Sequence, residues 1–191
     1  MFMDLVKSSR SWRGYDETRK LTRQELAAFV DCARFAPSSV NRQPFQYYLA
    51  CEQAQLDLIQ PLTGWARALP EKRLPYPGKR PTGFIVICQN TLWDADLSRY
   101  QRDVGIAAQT ILLAATEAGL GGIMIGNFSP AKLSEALRLP AHLTPMLILA
   151  LGKPDEEIVL TEAAPGESLK YYRDENDVHY VPKRRLEDVI L

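Results

Sequence analysis

Pro37-Ser38-Ser39-Val40-Asn41-Arg42-Gln43-Pro44 separates two segments of opposite periodicity. Upstream, Thr22 and Glu25 form an S/T-x-x-E capping box, and Leu26, Phe29, Val30 and Ala33 recur at helical spacing. This predicts a helix over 22–36 that Pro37 stops. Downstream, Phe45-Gln46-Tyr47-Tyr48-Leu49-Ala50 is rich in aromatics and reads as a strand. The linking loop is dense in short hydroxyls and amides: Ser38, Ser39, Asn41 and Gln43. Such groups grip a polar heterocycle or a polyol through neutral hydrogen bonds. The same residue types dominate ordinary turns, so composition alone leaves both readings open.

Working outward, a second helix is expected from about Glu52 to Leu62. Residues 63–82 carry Gly64, Pro70, Pro75, Pro77, Gly78 and Pro81, which forbid a long helix or a central strand. A loop of that length is commonly a lid or a binding segment. Phe84-Ile85-Val86-Ile87-Cys88 reads as a strand buried on both faces. A long helix is expected over 94–119, apolar around nearly its whole circumference in its second half, as at a large core or a subunit interface. Gly119-Leu120-Gly121-Gly122 ends it. Ile123-Met124-Ile125 is a short strand. Ser129 caps a helix opened by Pro130 and running to about Leu137. Pro145–Leu151 is another strand, closed by Gly152-Lys153-Pro154. From Asp155 the chain reads as polar and irregular, with its last stretch, around Val189-Ile190-Leu191, as an added strand. Mixed helices and strands of this kind give an α+β class.

The chain has 191 residues, 46% hydrophobic and 24% charged, which excludes a disordered protein. One domain over 1–191 is the expectation at this length. Lys plus Arg is 23 and Asp plus Glu is 23, so the balance gives no support for nucleic-acid or membrane-surface binding. Three cysteines, Cys32, Cys51 and Cys88, stand far apart without metal-ligand spacing, so no metal site is read. Neither a signal peptide nor an apolar run long enough to span a membrane is present, and a cytoplasmic protein is expected.

Nucleophile elbows, phosphate loops and the dinucleotide fingerprint are missing, and only His142 and His179 supply imidazoles. Two basic clusters remain. In Ser9-Arg10-Ser11-Trp12-Arg13, an extended chain would point Ser11 and Arg13 one way and Arg10 and Trp12 the other. A turn would instead converge two guanidiniums and a hydroxyl on one anion, which suits the planar fork of arginine. Lys183-Arg184-Arg185 could close on the same anion. Taken alone, each cluster reads first as a solvated basic surface.

Together, Arg10-Ser11-x-Arg13, Ala36-Pro37-Ser38-Ser39-x-Asn41-x-Gln43-Pro44, Gly119-Leu120-Gly with Ile125-Gly126, and Leu151-Gly152-Lys153-Pro154 resemble the nitroreductase family of FMN oxidoreductases. The resemblance spans nearly the whole chain. It implies a sandwich of helices around a central, mostly antiparallel sheet, working as an intertwined homodimer with FMN at the subunit interface. By that resemblance Arg10, Ser11 and Arg13 hold the phosphate and ribityl chain. Lys183 and Arg185 complete the phosphate site, with Arg184 an alternative to Arg185. Pro37, Ser38, Ser39, Asn41 and Gln43 line the flavin from the other subunit, and the backbone at Ile125 and Gly126 lies beside flavin N5. No catalytic side chain is required, because the flavin carries hydride from NADH or NADPH to a small planar acceptor such as a nitroaromatic or quinone. Other flavin chemistry on the same scaffold, or flavin binding without turnover, are the rival readings. Three departures stand out. Ser9-Arg10 replaces a pair of arginines, Gly126-Asn127 occupies a stretch that is acidic in some members, and Pro75–Pro81 replaces a pyrimidine-edge Asn, leaving Lys79 or Arg80 there. Trp65 and Tyr76 are candidates for a lid over the ring.

Overall fold

The structure is a computed structural model describing residues 1–191. Its elements run α1 (Phe2–Ser8), β1 (Tyr15–Asp16), α2 (Arg23–Ala33), β2 (Phe45–Ala50), α3 (Gln53–Ile59), β3 (Gly83–Asn90), α4 (Gln101–Glu117), β4 (Gly121–Ile125), α5 (Pro130–Ala136), β5 (Leu143–Pro154), β6 (Ile158–Ala163), β7 (Tyr172–Arg173) and β8 (His179–Arg184). The Thr22 capping box forms as expected: Thr22 Oγ1 accepts from the Glu25 N–H, and Glu25 Oε2 accepts from the Thr22 N–H.

The apolar run at β3 organises the core. All eight of its residues are buried, and its alternation splits them between two layers. Ile85 and Ile87 pack with Leu26 and Phe29 of α2 and Ala108 and Ile111 of α4. Phe84, Val86 and Cys88 pack with Leu56 and Ile59 of α3 and Leu133 of α5. Each large side chain buried this way contributes about 1.5–3 kcal/mol, so these faces rather than the helix caps hold the layers together. Burial also pushes the Cys88 thiol up to about 12, which makes it a packing residue and not a nucleophile.

β5 is the longest strand and the hub of the central sheet. It pairs antiparallel with β3 over Leu143–Leu151, with β4 over Ile148–Gly152 and with β1 at Lys153–Pro154. β2 flanks β3, also antiparallel. The result is the antiparallel sheet between helices that the sequence led one to expect. No helix is long and apolar enough to cross a membrane.

Three expectations are corrected. The long helix starts at Gln101, not near 94. Asp94 Oδ1 accepts from the Asp96 N–H, and Asp96 Oδ1 from the Ser98 N–H, both at 3.0 Å. These local turns compete with helix formation. The C-terminal tail is not irregular either. β6 pairs parallel with β8, and β7 antiparallel with β8, in a second, three-stranded sheet. Val189, Ile190 and Leu191 lie outside any strand.

Candidate functional site

The N-terminal basic stretch lies against the start of β4. The Trp12 N–H donates to Gly122 O at 3.2 Å, and Ser11 bridges to Gly122. Glycine is required here because a Cβ on Gly121 would come within 2.3 Å of the Trp12 ring. The chain also turns tightly, with the Trp12 N–H donating to Arg10 O at 3.0 Å. That turn brings Arg10, Ser11 and Arg13 to one cavity of about 350 Å³, which Met124, His179 and Lys183 also line. The turned alternative holds, and the alternating one does not.

Arg13 is buried, only 7% exposed. Its Nη1 donates to Ser11 O at 2.9 Å, and its guanidinium lies 4.7 Å over the Tyr171 ring. Its Nε has no partner, and neither does Nε of Arg10. No carboxylate pairs with the Arg13 guanidinium, although burial lowers its pKa. The nearby Glu156 carboxylate instead accepts from the backbone N–H of Arg13 and pairs with Arg173, whose side chain is 2% exposed. A buried cation without a counter-anion is costly, and an anionic ligand relieves that cost.

His179, at the start of β8, is 1% exposed and leaves both ring nitrogens unpartnered. Burial, with the Arg13 and Arg173 charges adding to it, lowers its pKa to about 4, so the ring is neutral near pH 7. Of the C-terminal cluster, Lys183 reaches the cavity. Arg185 turns away: its Nε donates to Asp188 Oδ2 at 3.0 Å and lies 3.3 Å from Glu187 Oε1. Arg184 is exposed and outside the cavity.

The loop between α2 and β2 stands apart from these groups. Pro37, Ser38 and Gln43 line a different cavity of about 300 Å³, with Tyr47, Trp93 and Asp103. Asp103, buried on the first turn of α4, anchors the loop: its Oδ2 accepts from Ser38 Oγ at 2.8 Å and from the Ser39 N–H at 2.7 Å. Ser38 Oγ accepts from the Gln43 N–H, and Gln43 Nε2 donates to Asn41 Oδ1. Val40 (φ 47°), Asn41 (φ 52°) and Gln43 (φ 49°) sit in the left-handed region. For β-branched Val40 that conformation is strained, and such strain gathers at functional loops. Asp103 was not singled out from the sequence. With the helix expected to start near 94, Asp103 read as an interior residue, and only the observed start at Gln101 puts it on the first turn.

At the end of β4, Ile125 is buried in the core while Gly126 is exposed, with no atom within 4 Å of where a Cβ would stand. The backbone there is open to approach. The Gly64 N–H donates to Asn127 O at 2.8 Å, so the proline-rich segment begins beside this opening. Farther along, Lys72 Nζ and Tyr76 OH reach Asp177 Oδ1 at 3.1 and 3.2 Å, and Lys79 pairs with Asp155. Segment 63–82 is thus strapped to the C-terminal sheet.

These features carry a family. The chain belongs to the nitroreductase family, whose model matches residues 6–153. The oxygen-insensitive NADPH nitroreductase of Salmonella typhimurium is 26% identical over 179 residues, covering 86% of this chain and 70% of that protein. The 5,6-dimethylbenzimidazole synthase of Rhodospirillum rubrum is 30% identical over 159 residues, covering 73% and 75%. A structure from Exiguobacterium sibiricum, solved in complex with FMN, shares the fold at TM-score 0.66 and 19% identity, over 82% of this chain and 89% of that one.

Proposed function

We propose that the protein is an FMN-dependent oxidoreductase that draws hydride from NADH or NADPH and passes electrons to a small planar acceptor, a nitroaromatic or a quinone, by ping-pong turnover. The observation that carries this reading is the buried Arg13 guanidinium, without an acid and with a free Nε, in a cavity shared with Arg10, Ser11 and Lys183. Those residues fit the phosphate and ribityl tail of FMN. When bound, FMN supplies hydride acceptance and donation at N5.

Arg10, Ser11 and Arg13 hold the tail, and Lys183 takes the C-terminal share, since Arg185 is engaged with Asp188 and Glu187. The open backbone at Ile125–Gly126 lies along the reactive edge, where an N–H donor stabilises charge that develops on reduction. Pro37, Ser38, Ser39, Asn41 and Gln43 complete the cradle from the partner subunit of a homodimer.

Three observations support the dimer. The loop and the arginine cluster line separate cavities of one protomer. Phe2, Met3, Ile106, Val189, Ile190 and Leu191 are exposed. The accessible surface is 10979 Å², against about 9200 Å² for a compact monomer of this mass.

The test is spectroscopic. Purified protein carries absorption bands near ~375 and ~450 nm, as a flavoprotein does. NADH or NADPH bleaches them without oxygen, and menadione or nitrofurazone restores them. A preparation that stays colourless with excess FMN overturns the reading. The Rhodospirillum rubrum relative favours a second reading on the same scaffold, in which a dimethylbenzimidazole, retaining the dimethylated benzenoid ring of a flavin, is the product. Its appearance on incubating the reduced holoprotein with oxygen, in place of acceptor turnover, decides between the two.

A further inference from the structure

A buried guanidinium needs something to hold it, and for Arg13 the usual holder is engaged elsewhere. Glu156 gives one carboxylate oxygen to the backbone N–H groups of Arg13 and Gly14 and the other to Arg173. What lies against the Arg13 guanidinium is a ring. Its Cζ stands 4.7 Å over the centroid of Tyr171, within the reach of a cation–π contact. A ring face attracts a guanidinium through its quadrupole and leaves the planar N–H fork unspent. A carboxylate would occupy that fork and cancel the charge. The unpartnered Nε of Arg13 accords with the first arrangement.

Tyr171 is itself built into the fold. It lines the same cavity as Arg10, Ser11 and Lys183, directly before β7, whose Arg173 stands opposite His179 of β8. The His179 ring meets Tyr171 edge-on, with centroids 5.3 Å apart and planes at 70°. Burial keeps that imidazole neutral near pH 7, so it adds no second positive charge beside Arg13. Tyr171 also packs against Ala66, Leu69 and Leu74 of the proline-rich segment. Together with its ties to Asp177, this contact gives the segment a purpose: it buttresses the ring on which Arg13 rests.

We infer that Tyr171 is a positioning residue of the phosphate site: its face seats Arg13 as an unneutralised cation, and so sets the preference for a phosphorylated flavin over the same flavin without its phosphate. The inference rests on the FMN reading above. Tyr171 takes part in no chemical step. It acts through Arg13, on the tail of the cofactor and not on the reacting ring, and it does so through its π face and not its hydroxyl.

The experiment titrates the full chain, freed of flavin, with FMN and with riboflavin, read by quenching of flavin fluorescence. Wild type should prefer FMN by at least about a hundredfold, the scale of two charge-assisted hydrogen bonds. Tyr171→Phe keeps the ring and should keep that preference. Tyr171→Leu should cut it about tenfold by weakening FMN alone, the scale of a desolvated cation–π contact. Pentafluorophenylalanine in place of Tyr171 retains the shape of phenylalanine but reverses its quadrupole, and should lose as much as Tyr171→Leu. That variant separates charge from packing even where Tyr171→Leu does not fold. A wild type without the preference, an undiminished preference in the fluorinated variant, an equal weakening of both flavins, or a Tyr171→Phe protein as weak as Tyr171→Leu overturns the inference and leaves the FMN reading standing. A wild type that binds neither flavin overturns that reading instead, and inorganic phosphate then decides. It should raise the melting temperature of wild type and Tyr171→Phe but not of the fluorinated variant. Equal stabilisation of all three, or of none, overturns the inference.

Discussion

Arg13 and Glu156 meet through the backbone and not through their charges: the Glu156 carboxylate accepts from the Arg13 N–H and gives its other oxygen to Arg173. The acid therefore fixes where Arg13 stands without neutralising its guanidinium. Arg173 continues the connection to Asp177, which its Nη1 reaches at 2.8 Å, and Asp177 holds Lys72 and Tyr76 of the proline-rich segment. One run of charge, buried at Glu156 and Arg173 and about one-third exposed at Asp177 and Lys72, thus joins the phosphate-type cavity to the strap beside it.

The first prediction concerns retention of the cofactor. Arg13→Ala removes the one buried cation without an acid in that cavity, and should weaken FMN binding roughly ten- to hundredfold. Lys183→Ala should weaken it less, because Lys183 is exposed. Arg185→Ala should leave it unchanged, since that side chain is spent on Asp188 and Glu187. Flavin content after exhaustive dialysis reads all three. Full retention by Arg13→Ala would remove the phosphate assignment.

The second prediction concerns the buried ion pair. Side chains of Glu156 and Arg173 are only 6% and 2% exposed. Removing the Glu156 charge leaves the buried Arg173 with Asp177 alone, a carboxylate 36% exposed, and should cost about 1–3 kcal/mol. Glu156→Gln should therefore lower the urea midpoint sharply. Replacing both with apolar residues of similar volume should recover much of the loss. A Glu156→Gln protein as stable as wild type would mean that water already reaches the pair.

The third prediction concerns the anchor of the Pro37–Pro44 loop. Asp103→Ala orphans the Ser38 hydroxyl and the Ser39 N–H, and should cost about 1–3 kcal/mol. It should also release the strained turn at Val40, which limited proteolysis near residue 40 would detect. An unaltered cleavage pattern would argue that the loop holds itself through Ser38, Asn41 and Gln43.

The layers of the fold were legible because they rest on local signals. The Thr22–Glu25 box, the run at Phe84–Cys88 and the Ser129–Pro130 start each need only neighbouring residues. What stayed hidden depends on distant ones. The carboxylate of Asp103 matters because a loop some sixty positions earlier folds onto it, as the Ser38–Asp103 separation of 65 shows. Gly121 looked like a helix terminator, yet its lack of a side chain also makes room for Trp12. The second sheet escaped because β6 and β8 pair in parallel across a long polar connection, and no hairpin turn announces such a pairing. The arginine turn was one of two stated alternatives, and the bond from the Trp12 N–H to Arg10 O selects it.

A fourth prediction follows from His179 in the flavin-free protein. Its folded pKa is about 4, below the ordinary value of 6.5. As pH falls below 6.5 the unfolded chain takes up a proton that the folded protein refuses until about 4. Stability from this group is thus full above 6.5 and lost progressively between 6.5 and 4. The loss is at most about 3 kcal/mol. His179→Phe should flatten that part of the profile in urea titrations across the range. A wild-type curve already flat between those limits would contradict the buried, unpartnered ring.

The last prediction takes the exposed side of α4. Gly105, Ile106 and Gln109 face outward midway along the helix, while Val104, Ala107, Ala108 and Ile111 are buried. Ile106 is 40% exposed, an apolar side chain left on a helix whose opposite face already fills the core. A second copy of the chain is the partner that would cover it, along with the exposed termini. Ile106→Glu places a charge in that contact and should shift the protein from dimer to monomer in light scattering, with its helix content unchanged. Because the Pro37–Pro44 loop and the arginine cavity are separate within one protomer, the same substitution should also release flavin. A monomeric variant that keeps its flavin would show that one chain binds the cofactor alone. A wild type that runs as a monomer with its flavin bound would show the same more directly.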